Sequence, residues 1–249
     1  MKLGKKPATR DDRDIRFAAI ATGVTLPTPP SRFGHGTLFH SDGWGMLGND
    51  QYGDCVFAGG AHEVMLTNKL ARRTVEFTDA AVLGDYSAVT GFTPDDPNTD
   101  QGTDVREALK YRRATGLADA HAGRHRIGAY VSIRPNDFDE LMQAVYVFSA
   151  VGIGFNFPSS AMDQFNHGET WDVVEGATVE GGHYVPVVGR SSRNIAGVIT
   201  WGRRQGLTRD FYEIYNDEAW AMIYPEELRN GRTERGMSLD QLQHALTAL

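Results

Sequence analysis

The segment Asn49-Asp50-Gln51-Tyr52-Gly53-Asp54-Cys55 leads into an apolar run from Val56 to Leu70, and Cys55 is the only cysteine of the 249-residue chain. A thiol at the start of a predicted helix has the features of a nucleophile. The positive end of the helix dipole stabilises the thiolate, and the free N–H groups there can also stabilise an oxyanion. The alternative is a buried structural residue, because an isolated cysteine usually behaves as a small hydrophobic side chain.

A histidine further along the chain is a candidate base for this thiol. His183 follows Gly181-Gly182 and opens the apolar stretch 184–188, which predicts a short strand. It lies 183 − 55 = 128 residues after Cys55. This separation is close to the roughly 130 to 150 residues by which the histidine follows the cysteine in papain-like peptidases. In this pair of residues the sequence resembles that family.

The resemblance continues in the same order over roughly residues 40–225. Asn49 stands six residues before Cys55, where the family carries a glutamine whose amide helps to bind the oxyanion, and an asparagine offers the same donor on a shorter side chain. The stretch 101–104 resembles the glycine loop that borders the substrate cleft. The resemblance therefore implies four residues with substrate-binding or site-shielding positions, which are Gly102, Thr103, Gly182 and Trp201.

The third member of the triad departs from the family pattern. Without a gap, Ile199 falls where the family has the asparagine that orients the histidine, and Thr200 falls on the neighbouring serine. Thr200 could accept from the imidazole if the strand is shifted by one residue. Asn194 or Asn216 could instead approach from a loop, and the sequence does not choose among the three.

Two further departures affect the site. Asp54 directly precedes Cys55, where it is a good N-cap, but its negative charge would oppose formation of the thiolate. Thr103 replaces one of the paired cleft glycines of the family, which weakens the expectation of backbone pairing with a substrate peptide.

The resemblance predicts an α+β protein with the papain-like two-lobe fold. In this prediction residues 1–40 form an N-terminal arm, 41–125 a helical lobe carrying Cys55, and 126–228 an antiparallel β-barrel-like lobe carrying His183. The active site lies in the cleft between the lobes, and residues 229–249 form a C-terminal helix. The arm is shorter than the inhibitory prosegments of the family, although it could cross the second lobe or partly cover the cleft.

Local patterns add four elements within these lobes. Residues 137–147 are predicted to be a helix and 151–155 the strand after it. The resemblance implies that 197–202 is the strand that ends in Asn-Ser-Trp-Gly in the family, and that 210–215 is the strand that follows it.

Composition restricts the partners. The net charge of −7 argues against nucleic acid, and no apolar run has the length of a membrane span or of a signal peptide. A single cysteine cannot form an internal disulfide. Neither a metal site nor a cofactor is expected, since the histidines and acidic residues lack the spacing of a complete ligand set. These features predict a cytoplasmic protein, either free or as part of a viral or other large particle.

Two functions are compatible with the sequence. The first is a papain-like cysteine peptidase that hydrolyses peptide or isopeptide bonds of a peptide or protein substrate, with Cys55, His183, Asn49 and Thr200 as the catalytic group. The second is a catalytically weak or inactive papain-fold protein that serves as a structural or binding component of a larger assembly, such as a phage particle, and has a protein partner there.

Overall fold

The computed structural model describes residues 1–21, 25–40 and 43–225. Within these ranges the chain forms helices α1 (Phe17–Ala21), α2 (Cys55–Leu70), α3 (Asp79–Thr90), α4 (Val105–Ala114), α5 (Phe138–Phe148), α6 (Ser159–His167) and α7 (Arg209–Tyr215). The C-terminal helix predicted at 229–249 lies outside the described residues. No helix in the described ranges has the length and apolar character needed to span a membrane.

Helix α2 is the central element of the first half of the chain. Its residues 55–68 are all buried, including the polar side chains of His62, Glu63, Thr67 and Asn68. Helices α3 and α4 pack beside it, and each begins at a side-chain cap: Thr78 accepts from the N–H of Ala81, and Asp104 from the N–H of Glu107. The small hairpin of β2 (Leu117–Ala118) and β3 (Arg124–His125) follows α4.

An antiparallel sheet forms most of the second half. Its members are β1 (Phe33–Gly34), β4 (Ala129–Ile133), β5 (Val151–Pro158), β6 (Val179–Ser192), β7 (Ile195–Thr200), β8 (Arg203–Thr208) and β9 (Asn216–Ile223). The strand order is β4-β9-β5-β6-β7-β8, and β1 pairs with β6. The α+β class is confirmed, but over the described residues the sheet is open and does not close into a barrel.

The two halves meet where α2 packs on β6. Tyr184 of β6 and Trp220 of β9 belong to the same buried cluster as the apolar face of α2. At Gly59 in α2, an added Cβ would lie 2.7 Å from the Tyr184 ring, so the close approach of helix and strand depends on this glycine. This packing brings the start of α2 to β6, where the backbone N–H of Tyr184, the residue after His183, lies at the Cys55 thiol.

The local predictions succeed for three elements and fail for one. The helix at 137–147 and the strands at 151–155 and 197–202 correspond to α5, β5 and β7. The strand predicted at 210–215 is wrong, because this stretch is helix α7. The hydroxyl of Thr208 caps the helix by accepting from the N–H of Phe211, and the apolar side of the short helix packs into the core.

Candidate active site

Cys55 is the first residue of α2 and is 1% exposed. Burial raises the pKa of its thiol to about 12, while the nearby backbone N–H groups of Tyr184 and Gly4 act in the opposite direction. The thiol therefore holds its proton in this arrangement, despite its place at a helix N-terminus.

Asp54, directly before the thiol, does not have the capping role expected from its position. Its side chain makes no hydrogen bond to the first turn of α2, and both carboxyl oxygens are buried without a partner among the described residues. Burial raises the pKa of this carboxyl well above its usual range. The shift is towards the neutral acid, and the Asp54 charge that remains adds to burial in raising the pKa of the Cys55 thiol.

His183 lies on β6 and is completely buried. Its Nε2 is 2.8 Å from Thr200 Oγ1, and the Trp201 ring stacks on the imidazole with centroids 4.4 Å apart and planes 18° apart. Trp201 has φ +44°, in the left-handed region that is unusual for a residue with a side chain. The other ring nitrogen, Nδ1, has no hydrogen-bond partner in the described part of the chain.

Of the three candidates for the orienting residue, Thr200 is the one that contacts the ring. Ile199 belongs to an apolar cluster with Trp44 and Leu66. The amide of Asn216 donates to the carbonyl oxygens of Gly154 and Glu218. Asn194 lies in the turn between β6 and β7, where its carbonyl accepts from the N–H of Arg209. Burial lowers the pKa of His183 to about 3, so the ring is neutral.

The side-chain amide of Asn49 faces a peptide carbonyl. Asn49 Nδ2 donates to the carbonyl oxygen of Tyr52 at 3.0 Å and to that of Lys2 at 3.3 Å. The backbone of Lys2 is held as well, because its N–H donates to the Asn49 carbonyl at 2.9 Å. One N–H of the amide therefore binds a carbonyl of the loop before α2, and the other binds a carbonyl of the N-terminal arm.

Residues 2–6 of the arm cross the site as an extended segment, which we call the docked segment. Thr103 donates its N–H to the Gly4 carbonyl at 2.7 Å and accepts from the N–H of Lys6 at 2.9 Å. On the opposite side, the Gly182 carbonyl accepts from the N–H groups of Gly4 and Lys5 at 3.1 and 3.0 Å. Thr103 and Gly182 therefore bind a peptide backbone between them, close to the thiol.

Glycines make this close approach possible. An added Cβ at Gly102, which has φ +68°, would lie 2.1 Å from the Gly4 carbonyl oxygen, and one at Gly182 would lie 2.2 Å from that of Lys5. A Cβ on Gly4 itself would lie 1.8 Å from the carbonyl oxygen of Gly53. Trp201, also expected near substrate, is 3% exposed and packs on His183 rather than on the docked segment.

Sequence reasoning missed the residues that hold the lysine of the docked segment. Lys5 Nζ lies 2.7 Å from Asp217 Oδ2 and 3.3 Å from Glu218 Oε1, and its side chain is fully buried. The two carboxylates are adjacent at the start of β9, more than 200 residues from Lys5 in sequence. The one available signal was a pair of acidic residues entering a buried strand, a pattern that does not identify its partner.

The fold is that of the papain-like cysteine peptidases. Xylellain, a cysteine protease from Xylella fastidiosa, matches with a TM-score of 0.65 at 16% identity, over 89% of this chain and 95% of that one. Procathepsin B S9 from Trypanosoma congolense matches with a TM-score of 0.57 at 12% identity, over 90% and 86%. A cysteine protease from Carica candamarcensis in complex with E-64 matches with a TM-score of 0.55 at 11% identity, over 78% and 98%.

Comparison by sequence is less informative than comparison by structure. No protein-family model matches the chain, and no curated protein matches it significantly. The papain-like fold therefore rests on the three-dimensional likeness to these structures.

Proposed function

We propose that this protein is a cysteine peptidase that hydrolyses peptide or isopeptide bonds, with Cys55 as nucleophile and His183 as base. The observation that carries the proposal is a peptide segment bound through its backbone across the thiol, between Thr103 and Gly182. A cleft that binds extended backbone at a buried Cys and His is suited to peptide substrates. Two of the structural neighbours described above, xylellain and the enzyme from Carica candamarcensis, are cysteine proteases.

The reaction follows from the positions of the groups. With Nε2–H donated to Thr200, the free lone pair of His183 is on Nδ1, which takes the proton of the Cys55 thiol. The sulfur attacks the carbonyl carbon, and the oxyanion is held by the Asn49 amide and the N–H of Cys55. The imidazolium then protonates the leaving amine as the C–N bond breaks, which leaves a thioester on the sulfur. Water, deprotonated by His183, attacks the thioester, releases the carboxylic acid and restores the thiol.

Thr200 and Trp201 would supply the orientation that the family obtains from asparagine. A hydroxyl that accepts from Nε2–H fixes the tautomer and directs Nδ1 as the base. The stacked indole of Trp201 limits rotation of the ring and shields the contact from water. Thr200 is a positioning residue in this scheme, since it acts through His183.

The docked segment holds the site inactive. The buried thiol has a pKa of about 12 and the buried imidazole a pKa of about 3, so proton transfer from sulfur to nitrogen is strongly unfavourable. The Gly4 N–H lies at the thiol, so departure of residues 2–6 admits water to Cys55 and brings the pKa of its thiol towards the ordinary range. The same movement frees the Asn49 donor now used by the Lys2 carbonyl. Turnover therefore requires displacement of the docked segment.

A second candidate function is a non-catalytic papain-fold protein that acts as a structural or binding component of an assembly. The neutral, buried state of Cys55 and His183 is the observation that favours it. In this case the docked segment would be a permanent part of the fold, and the thiol would have no chemical role.

An experiment on the full chain distinguishes the two functions. Gly4→Ala places a methyl group against the Gly53 carbonyl and should displace the docked segment. We expect this variant to hydrolyse denatured casein at least about tenfold faster than the wild type, and the activity to vanish when Cys55→Ala or His183→Ala is added. Cleavage is followed by mass spectrometry, and thiol exposure by reaction with iodoacetamide.

Two results would overturn the proposal. One is an accessible thiol in the Gly4→Ala variant without any hydrolysis, which would favour the non-catalytic function. The other is hydrolysis that persists after Cys55→Ala. If Gly4→Ala leaves the thiol protected, the experiment uses the Lys5→Glu variant instead. A carboxylate at position 5 is repelled by Asp217 and Glu218, which displaces the docked segment.

A further inference from the structure

The side chain of Lys5 fills a pocket built from the sheet. Its Nζ is in contact with Asp217 and Glu218 at the start of β9, and it also donates to the Lys6 carbonyl at 2.9 Å. The wall on β5 is Gly154, where an added Cβ would lie 2.1 Å from Lys5 Cε. The absence of a side chain at Gly154 is therefore what leaves space for a lysine stem.

The pocket carries more negative charge than Lys5 neutralises. Two carboxylates face one ammonium. Asp217 Oδ1 is buried without a hydrogen-bond partner in the described ranges, and Glu218 Oε1 has only the longer ion-pair contact of 3.3 Å to Lys5 Nζ. Glu218 is only 7% exposed. Burial raises the pKa of Glu218 and the charge of Lys5 opposes this, so a cation in the pocket favours the ionised form of this carboxyl. Buried carboxylates of this kind are stable only when paired.

A groove of about 390 Å³ adjoins the two carboxylates. Asp217 and Glu218 line it together with Trp220 and several residues of the arm between Ala8 and Ala18. A guanidinium has five N–H donors in a planar fork, so it could reach Asp217 Oδ1 as well as Glu218 Oε1, which the ammonium contacts only at 3.3 Å.

The pocket is one residue away from the thiol along the docked segment. The N–H of Gly4 is near Cys55 Sγ, and the next residue, Lys5, enters the acidic pocket. Any peptide that replaces the docked segment on Thr103 and Gly182 would place one of its side chains at the same opening.

We infer that Lys5 occupies a specificity pocket, formed by Asp217, Glu218 and Gly154, that takes the lysine or arginine side chain of a peptide substrate. The inference rests on the proposed function for its chemistry, and it names the substrate class as peptides with a basic residue close to the cleaved bond. The arm keeps the cleft occupied because its own Lys5 side chain fills this pocket.

Binding tests the pocket without requiring catalysis. The full chain carrying Lys5→Ala and Cys55→Ala is titrated with a fluorescent peptide of sequence Lys-Leu-Gly-Lys-Lys-Pro, corresponding to residues 2–7. A second peptide has norleucine in place of the fourth residue, and a third has arginine. We expect the lysine and arginine peptides to bind at least about tenfold more tightly than the norleucine peptide.

The acidic residues provide the matched control. Asp217→Asn together with Glu218→Gln should reduce the preference to below about twofold, with Asp217→Asn alone in between. Equal affinity for lysine and norleucine peptides overturns the inference, and so does a lysine preference that persists without the two carboxylates. A variant with Lys6→Ala in place of Lys5→Ala keeps the docked segment and should bind all three peptides weakly, since Lys6 is exposed.

Hydrolysis by Lys5→Ala with Cys55 intact separates this inference from the proposed function. Selective binding of the basic peptides without cleavage supports the pocket and overturns the peptidase. Cleavage without a preference for basic residues supports the peptidase and overturns the pocket.

Discussion

The imidazole of His183 is held by two consecutive residues at the end of β7. Thr200 contacts Nε2 and Trp201 covers the ring face. Because neighbouring residues of a strand point to opposite sides, Ile199 packs into an apolar cluster while Thr200 faces the histidine. A shift of one residue along this strand is thus sufficient to replace an amide by a hydroxyl as the partner of the base.

Removal of the Thr200 hydroxyl should reduce turnover. In the arm-displaced Gly4→Ala background, we expect Thr200→Val to lower kcat about tenfold to hundredfold with KM nearly unchanged, because the loss concerns orientation of the base. Thr200→Ser keeps an acceptor and should retain most of the activity. Steady-state kinetics on a cleaved peptide measure both constants, and an unchanged kcat in Thr200→Val would show that Thr200 does not orient His183.

At the scale of elements, the two halves of the molecule are joined by a buried polar network. Glu63 of α2 accepts from Arg112 of α4 at 2.6 Å, from the Tyr184 hydroxyl of β6 at 2.9 Å and from the Tyr224 hydroxyl at 3.0 Å. The Glu63 side chain is fully buried and that of Arg112 is 2% exposed. The position of α2 on the sheet, and hence of Cys55 at β6, depends on this network.

Breaking the network should strongly destabilise the fold. Glu63→Gln leaves the Arg112 guanidinium buried without its counter-charge, which costs on the order of 3 to 5 kcal/mol in the free energy of unfolding. The control is Glu107→Gln, which removes an exposed ion pair with Lys110 on α4 and should cost less than about 1 kcal/mol. Urea denaturation measures both, and equal effects would contradict the assigned role of the network.

The helices and strands that the sequence could predict are those marked by a local residue pattern or by the resemblance to the papain-like family. The helix of Cys55 and the strand of His183 were predicted at the correct positions. Residues 210–215 were not, because the aromatic and branched residues there favour a strand while the Thr208 cap and packing on the core produce a helix. The Glu63 network and the Lys5 pocket join residues that are far apart in sequence, so no local residue pattern predicts them.

At the scale of the whole molecule, the N-terminal arm and the cleft form one closed unit. Sequence allowed the arm to cover the cleft, but it did not indicate that residues 2–6 pair with Thr103 and Gly182. The contacts are made by backbone groups, and the glycines that permit them have no side chain to mark the site. Pairing of this kind depends on shape rather than on a pattern of residue types.

Two adjacent lysines provide a matched test of this closure. Lys5→Ala leaves Asp217 and Glu218 without their cation, and we expect it to increase the rate of Cys55 alkylation by iodoacetamide by about tenfold to hundredfold at pH 7.5. Lys6→Ala removes an exposed side chain and should change the rate less than about twofold. The rates are measured by intact-mass spectrometry. Equal rates in the two variants would show that Lys5 does not hold the arm in place.

The backbone pairing of residues 2–6 also sets the terms on which any substrate binds. The docked segment is covalently attached to the cleft it fills, so its effective concentration there is on the order of millimolar. A free peptide that makes equivalent contacts must reach that concentration to occupy half of the sites. This holds even where its dissociation constant for an unoccupied cleft is much lower. Michaelis constants measured on the intact chain would therefore describe competition with an intramolecular ligand as much as recognition of the substrate.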